Sequence, residues 1–317
     1  MNTAVATALQ RLVDNYREGN LSRRDFFQRL AYLTGSIVLA HEIMLESGFA
    51  AESEIYNWPD APAQQGQPAP SPKESIAAGE QRVPEQVQAE WVKYPSGEVQ
   101  VGAYLARPKT GTAFGSIIVI HENRGLTEFV LDIAQRWAGE GLLAIAPDLL
   151  SRAGGTANFP TMNDAAQGIR QLTREGVVAD LHATLQYLKT RKDVKKDKIG
   201  VSGFCWGGAN TFNFVTESKE LLFGVPFYGR APEMEKLANI TCPVFAVYAE
   251  NDQGVDANLD EVEARMKELG KTFTRKMYPG TQHAFMNYTS PQRYNAEQAK
   301  AAWADVTAFV KKMYAKG

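Results

Sequence analysis

Residues 200–208 read Gly-Val-Ser-Gly-Phe-Cys-Trp-Gly-Gly, and they hold one of the two cysteines in this 317-residue chain. Gly203-Phe204-Cys205-Trp206-Gly207 has the form Gly-x-nucleophile-x-Gly, set between a run that reads as a strand and a segment that reads as a helix. That context suits a turn so sharp that its central side chain projects above a sheet. Such a turn strains the backbone of the nucleophile and crowds neighbouring backbone, so glycines flank it. The amide of Trp206, which opens the helix, is then a candidate oxyanion donor. A nucleophile needs a base, and the base needs an orienting carboxylate. Downstream, Val247-Tyr-Ala-Glu-Asn-Asp252 puts Asp252 just past one strand, and Tyr278-Pro-Gly-Thr-Gln-His283 puts His283 just past the next. Of the four histidines, only His283 lies in such a loop after Cys205; His41 is N-terminal and His182 reads as a helix-face residue. Taken singly, Cys205 also fits a buried small hydrophobe, Asp252 a turn or N-cap residue, and His283 a satisfied loop histidine. Together, in the order nucleophile, acid, base, they point to acyl transfer.

The elements that must position these residues are legible as an alternation. Glu90–Tyr94 and Val99–Arg107 flank Pro95-Ser96-Gly97 and predict a hairpin. Ser116–Ile120, Leu142–Ala146, Lys198–Ser202, Leu221–Phe227, Val244–Tyr248 and Phe273–Tyr278 predict further strands. Helices are predicted near Phe129–Ala138, over Ala165–Lys189 with a break at Gly176, and over Gly207–Val215, Glu261–Leu269 and Ala296–Met313. This is the pattern of an α/β fold, a mainly parallel sheet with helices on both faces, in which sites form at the carboxyl ends of the strands. Residues 87–317 read as that domain. Residues 51–86, with Pro59, Pro62, Pro68, Pro70, Pro72 and Pro84 among Gln, Ala and Ser, read as an extended linker. Within residues 1–50, Leu21-Ser-Arg-Arg-Asp-Phe-Phe27, the apolar stretch Leu30–Ala40 and the small residues around Ala50 resemble a twin-arginine export signal cleaved after Ala50. That reading implies a periplasmic or exported protein. The other is a helical arm, capped by Ser22 and carrying Val5, Leu9, Leu12, Val13 and Tyr16 on one face, in a cytoplasmic protein.

Six stretches carry a wider resemblance. They are His121-Glu122-Asn-Arg-Gly125, Ala146-Pro-Asp-Leu-Leu-Ser-Arg152, Gly203-Phe-Cys-Trp-Gly-Gly208, Phe227-Tyr-Gly229, Ala249-Glu-Asn-Asp252 and Gly280-Thr-Gln-His-Ala-Phe285. With them, residues 87–317 resemble the dienelactone hydrolase family, within the α/β-hydrolase fold, and the front end looks like that of exported members. The resemblance implies a Cys205, His283, Asp252 triad and no cofactor. It implies that Glu122 hydrogen-bonds the resting nucleophile and takes up its proton when substrate enters, and that the amide of Asn123 joins that of Trp206 as oxyanion donor. It implies that Arg152 binds a substrate carboxylate, and that the substrate is a lactone or small carboxylic ester cleaved through a thioester. A carboxylate paired with Arg124 or Arg152 is the other reading of Glu122, and a structural ion pair is the other reading of Arg152. Dienelactone-specific members carry a second arginine shortly after the histidine; the matching residue here is Asn287, with Arg293 a candidate substitute. Tyr228 and Phe285 are expected to line the pocket, packing being their alternative.

Composition narrows the field. The net charge is −2, with 44% hydrophobic and 22% charged residues and no basic stripe, which gives no sign of a nucleic-acid partner. No CxxC, HxxxH or HExxH spacing suggests a metal. No apolar run of transmembrane length occurs. Cys242 begins the strand whose far end carries Asp252, so both thiols are expected to be free. Two other functions compete with hydrolysis: a redox or sensor protein using Cys205, which lacks a nearby resolving cysteine, and a binding module, which has no need of Asp252 or His283.

Overall fold

The computed structural model describes residues 70–315. The export-signal and arm readings of residues 1–50, and most of the Pro-rich stretch, lie outside them. The C-terminal part of the 51–86 linker is corrected, because Pro72–Glu80 is a helix (α1). Ser71 caps it: the Ser71 hydroxyl accepts from Glu74 N–H at 3.3 Å, and the Glu74 carboxylate accepts from Ser71 N–H at 2.7 Å. Proline at the first helical position costs nothing, since its missing donor has no partner there.

The domain is built on eight strands: β1 (Val87–Ser96), β2 (Val99–Pro108), β3 (Phe114–Ile120), β4 (Leu143–Pro147), β5 (Val194–Phe204), β6 (Gly224–Phe227), β7 (Val244–Asn251) and β8 (Phe273–Gln282). They lie in the order β1-β2-β4-β3-β5-β6-β7-β8. β2 is antiparallel to both neighbours, and the remaining pairs are parallel. Gly97 turns the β1–β2 hairpin with φ 61°. The connecting helices are α2 (Glu128–Gly139), α3 (Met162–Arg170), α4 (Arg174–Thr190), α5 (Trp206–Glu217), α6 (Gln253–Asp256), α7 (Leu259–Glu268) and α8 (Ala296–Ala315).

Two apolar layers hold helices to sheet, and the period-2 alternation of β3 feeds both. Ile117 and Val119 join Phe129, Ile133 and Trp137 of α2 and Val306 and Val310 of α8. Ile118 and Ile120 join Leu181, Leu185 and Leu188 of α4 and Phe212 and Val215 of α5 on the other face. Each such side chain, fully buried, contributes about 1.5–3 kcal/mol. The break between α3 and α4 falls before Gly176. Thr173 caps α4, its hydroxyl accepting from Gly176 N–H at 3.1 Å, so Gly176 lies inside the first turn. β6 begins at Gly224, later than expected. β7 and β8 run on to Asn251 and Gln282, so Asp252 and His283 directly follow strand ends. His121, Cys205 and Tyr228 likewise follow β3, β5 and β6. All five therefore project from the carboxyl edge of one parallel sheet.

Candidate active site

Cys205 sits between β5 and α5 with φ 57° and ψ −116°, outside the regions that L-residues favour. A conformation of this kind costs about 1–3 kcal/mol and needs surroundings that enforce it. Cys205 N–H donates to Phe227 O at 3.0 Å, and Cys205 O accepts from Ala209 N–H at 3.0 Å. The flanking glycines have a steric reason. A Cβ on Gly203 would lie 2.3 Å from Gly207 O, one on Gly207 2.4 Å from His121 O, and one on Gly208 2.2 Å from Phe227 O. Trp206 is the first residue of α5, so its N–H has no helical acceptor behind it. Asn123 lies in the exposed turn after β3.

His283 Nδ1 lies 2.5 Å from Asp252 Oδ2, with 27% and 10% of the two side chains exposed. Cys205 lies close enough to His283 to act on its charge. Burial alone pushes the imidazole down, but the bond to Asp252 and the nearby Cys205 sulfur outweigh it and raise His283 to about 10. The buried Glu122 carboxyl is pushed up by desolvation, opposed by its hydrogen bond from Asn287 Nδ2 at 2.6 Å and by the charges of His283, Arg124 and Arg293. His283 and Asp252 thus form a hydrogen-bonded pair, with Cys205 and Glu122 close enough to His283 to act on its charge.

The model of the dienelactone hydrolase family matches residues 101–314. The chain belongs to that family. A protein named "Putative carboxymethylenebutenolidase" from Methylorubrum extorquens is 30% identical over 67% of this chain and 77% of its own length. "Protein usf" from Aquifex pyrophilus is 34% identical over 69% of this chain and 96% of its own. Among solved structures, a "Putative Dienelactone Hydrolase" from Klebsiella pneumoniae superposes with a TM-score of 0.65 at 25% identity, covering 71% of this chain and 98% of that one. This dienelactone hydrolase family member is a carboxylic ester hydrolase of the α/β-hydrolase fold.

Several expected roles are redistributed. Arg152 is held by the protein itself: its guanidinium donates twice to Asp180, at 2.7 and 2.9 Å, and once to Ser96 Oγ. Asp180 is buried on α4 and Arg152 is its counter-ion, so the structural reading holds for this pair. Phe285 is fully buried and packs against Tyr278 and Tyr228, as core rather than pocket wall. Tyr228 is fully buried too, held at φ 37° with its ring edge-on to His283 at 5.1 Å. Its hydroxyl is buried without a hydrogen-bond partner among the described residues, and it lies close enough to Glu122, Cys205 and Asp252 to feel their charges. Tyr228 therefore shapes the floor of the site. Glu122 bonds Asn287 and not the cysteine, against the expectation.

His121 is a member of the site that sequence reasoning passed over. Leu149 N–H donates to His121 Nε2 at 3.2 Å, which makes that nitrogen the acceptor and puts the ring proton on Nδ1. Nδ1–H then donates to Glu122 O at 2.7 Å, and the ring stacks on Trp206 at 5.4 Å. Burial lowers its pKa and keeps it neutral. His121 fixes the backbone of the Glu122 turn relative to α5. Its place directly before Glu122 at a strand end was the available signal. Asp148 completes the support, accepting from Thr156 N–H and Oγ1–H at 2.7 Å each, while Thr156 Oγ1 accepts from Leu126 N–H at 3.1 Å. Both cysteines are free, Cys242 being buried.

Proposed function

We propose that this hydrolase cleaves lactones or small carboxylic esters through a thioester on Cys205. The observation that carries the reading is the His283–Asp252 hydrogen bond with Cys205 nearby, all three directly after strand ends at the carboxyl edge of the sheet. The Cys205 sulfur, its proton passed to His283, attacks the carbonyl carbon. The amides of Trp206 and Asn123 take the oxyanion. His283 protonates the departing alkoxide oxygen, which in a lactone stays tethered to the acyl group. It then draws a proton from water, whose oxygen attacks the thioester and frees the acid and the thiol. Asp252 holds the imidazole in the tautomer that this exchange needs. With Arg152 bound to Asp180 and Asn287 to Glu122, neither family clamp position supplies a charge for a substrate carboxylate, so neutral esters are expected to turn over at least as well as anionic ones.

Cys205→Ala should abolish turnover of a panel of neutral and anionic esters and lactones while the circular dichroism spectrum is retained. Undiminished turnover in that variant overturns the assignment. Peroxide reactivity at Cys205 without ester turnover in the wild type would favour the sensor reading. Residues 1–50 are proposed as a twin-arginine export segment; finding only full-length protein, confined to the cytoplasm of fractionated cells, refutes this.

A further inference from the structure

Asn287 occupies the position where the family's dienelactone-specific members carry an arginine, and its contacts give it a different task. Its Nδ2 donates to Glu122 Oε2 at 2.6 Å, and both side chains are buried. The orientation of the amide is fixed from its other end. Asn287 Oδ1 accepts from Thr289 N–H at 2.9 Å and from Thr289 Oγ1–H at 2.7 Å, so the amino group must face the carboxyl. Asn287 is the hydrogen-bond partner of the Glu122 carboxyl among the described residues, and Cys205 lies beside His283. The other groups that face Glu122 are His283, Arg124, Arg293 and the hydroxyl of Tyr228. An amide here grips the carboxyl by one directional bond and adds no charge of its own, so the grip does not depend on substrate charge.

We propose that Asn287 is a positioning residue that holds the Glu122 carboxyl off Cys205, so that the resting thiol is paired with His283 and reactive before substrate arrives. The inference rests on Cys205 being the nucleophile, and its readout is alkylation rather than turnover. The thiolate sulfur displaces iodide from iodoacetamide, forming a carbon–sulfur bond, and the rate reports how freely Cys205 presents its thiolate.

The rate of Cys205 carbamidomethylation, read by intact mass and peptide mapping from pH 5 to 9, is compared in wild type, Glu122→Gln, Asn287→Ala and the double variant. Wild type and Glu122→Gln should agree within threefold at each pH. Asn287→Ala frees the carboxyl to bond the thiol and should slow alkylation at pH 7 at least tenfold. Adding Glu122→Gln should restore the rate, which a purely structural loss would not allow. The proposal is overturned if folded Asn287→Ala reacts within threefold of wild type, or if the double variant stays slow. Should Asn287→Ala not fold, Glu122→Gln alone decides: a change of more than threefold means that Glu122 already controls the resting thiol. Ester turnover surviving Cys205→Ala would end the catalytic assignment while leaving these alkylation rates interpretable.

Discussion

Replacing Gly208 with alanine puts a Cβ 2.2 Å from the carbonyl oxygen of Phe227. Carbon–oxygen contacts settle at about 3.3–3.6 Å, so roughly 1 Å must be found. The obstructing atom is backbone at the end of β6, an interior strand of the sheet, and cannot rotate away. It is also the acceptor for Cys205 N–H at 3.0 Å, the bond that anchors the strained backbone at Cys205. Overpacking costs about 1–3 kcal/mol, and leaving a buried donor unpaired costs about 1–3 more. A loss of about 2–6 kcal/mol in unfolding free energy is expected, a large share of the ~5–15 kcal/mol that a domain has. With Cys205 as the proposed nucleophile, a displacement of about 1 Å should also cost about 100-fold in kcat/KM. Urea unfolding and hydrolysis of a p-nitrophenyl ester read the two effects. Gly139→Ala is the matched control: a Cβ there meets only Gln86 Nε2, at 3.8 Å, near the end of α2. It should stabilise by about 0.5–1 kcal/mol through helix propensity and leave turnover alone. If Gly208→Ala keeps both its urea midpoint and kcat/KM within threefold of wild type, the close approach of β6 to α5 is not what holds Cys205.

Burial raises Glu122 above its ordinary 4.5, so its ionised form weakens the folded state as pH climbs past that value. Glu122→Gln, which can still accept from Asn287, should therefore raise the urea midpoint at pH 8 and change it little at pH 4; the reverse trend contradicts a buried, raised carboxyl. For His283, raised from 6.5 to about 10, the stabilising contribution is full below pH 6.5 and fades as pH rises through 10. The stability deficit of Asp252→Asn, a few kcal/mol at most, should be largest near pH 6 and narrow toward pH 10, and a deficit constant over that range refutes the coupling. Arg152→Ala strands the buried Asp180 charge and should cost about 3 kcal/mol. The ratio of KM values for anionic and neutral esters should stay within twofold of wild type; a selective tenfold rise for anionic esters would return Arg152 to the substrate.

The strand-end residues were legible because each rests on local grammar. An apolar run stops, a glycine or polar turn follows, and the chemistry sits at the join. That grammar located Cys205, Asp252 and His283 without knowledge of the strand order. It could not assign partners across the chain. Asp180 reads as an ordinary helix carboxylate, and nothing near it says that Arg152, 28 residues earlier, will close on it. Asn287 looked like an arginine lost, whereas its contact with Glu122, 165 residues away, is made only when the loops after β3 and β8 meet. Phe285 follows His283 by two residues, and only the packing against Tyr278 turns it into the core. The helix Pro72–Glu80 was hidden by composition: proline density argued for a linker, while Ser71-Pro-Lys-Glu74 carried an N-terminal capping signal that the count of prolines outweighed.

That helix bears on where the chain can be cut. Ser75 Oγ accepts from Glu128 N–H at 3.1 Å, and Gly79 O accepts from Gln135 Nε2 at 3.0 Å. Gly79 also lies so close to α2 that a Cβ would come within 2.9 Å of Glu128 Cα. Arg82 then reaches Tyr288 Oη at 2.6 Å, in the loop that carries His283. A shortened chain starting at residue 87, where the sheet begins, would strip the start of α2 of an acceptor, bare the apolar side of that helix and release a tether on the loop that carries His283. Processing after Ala50 would spare all of these contacts. Fragments starting beyond Arg82 should therefore be recovered with lowered melting temperature and a looser His283 loop.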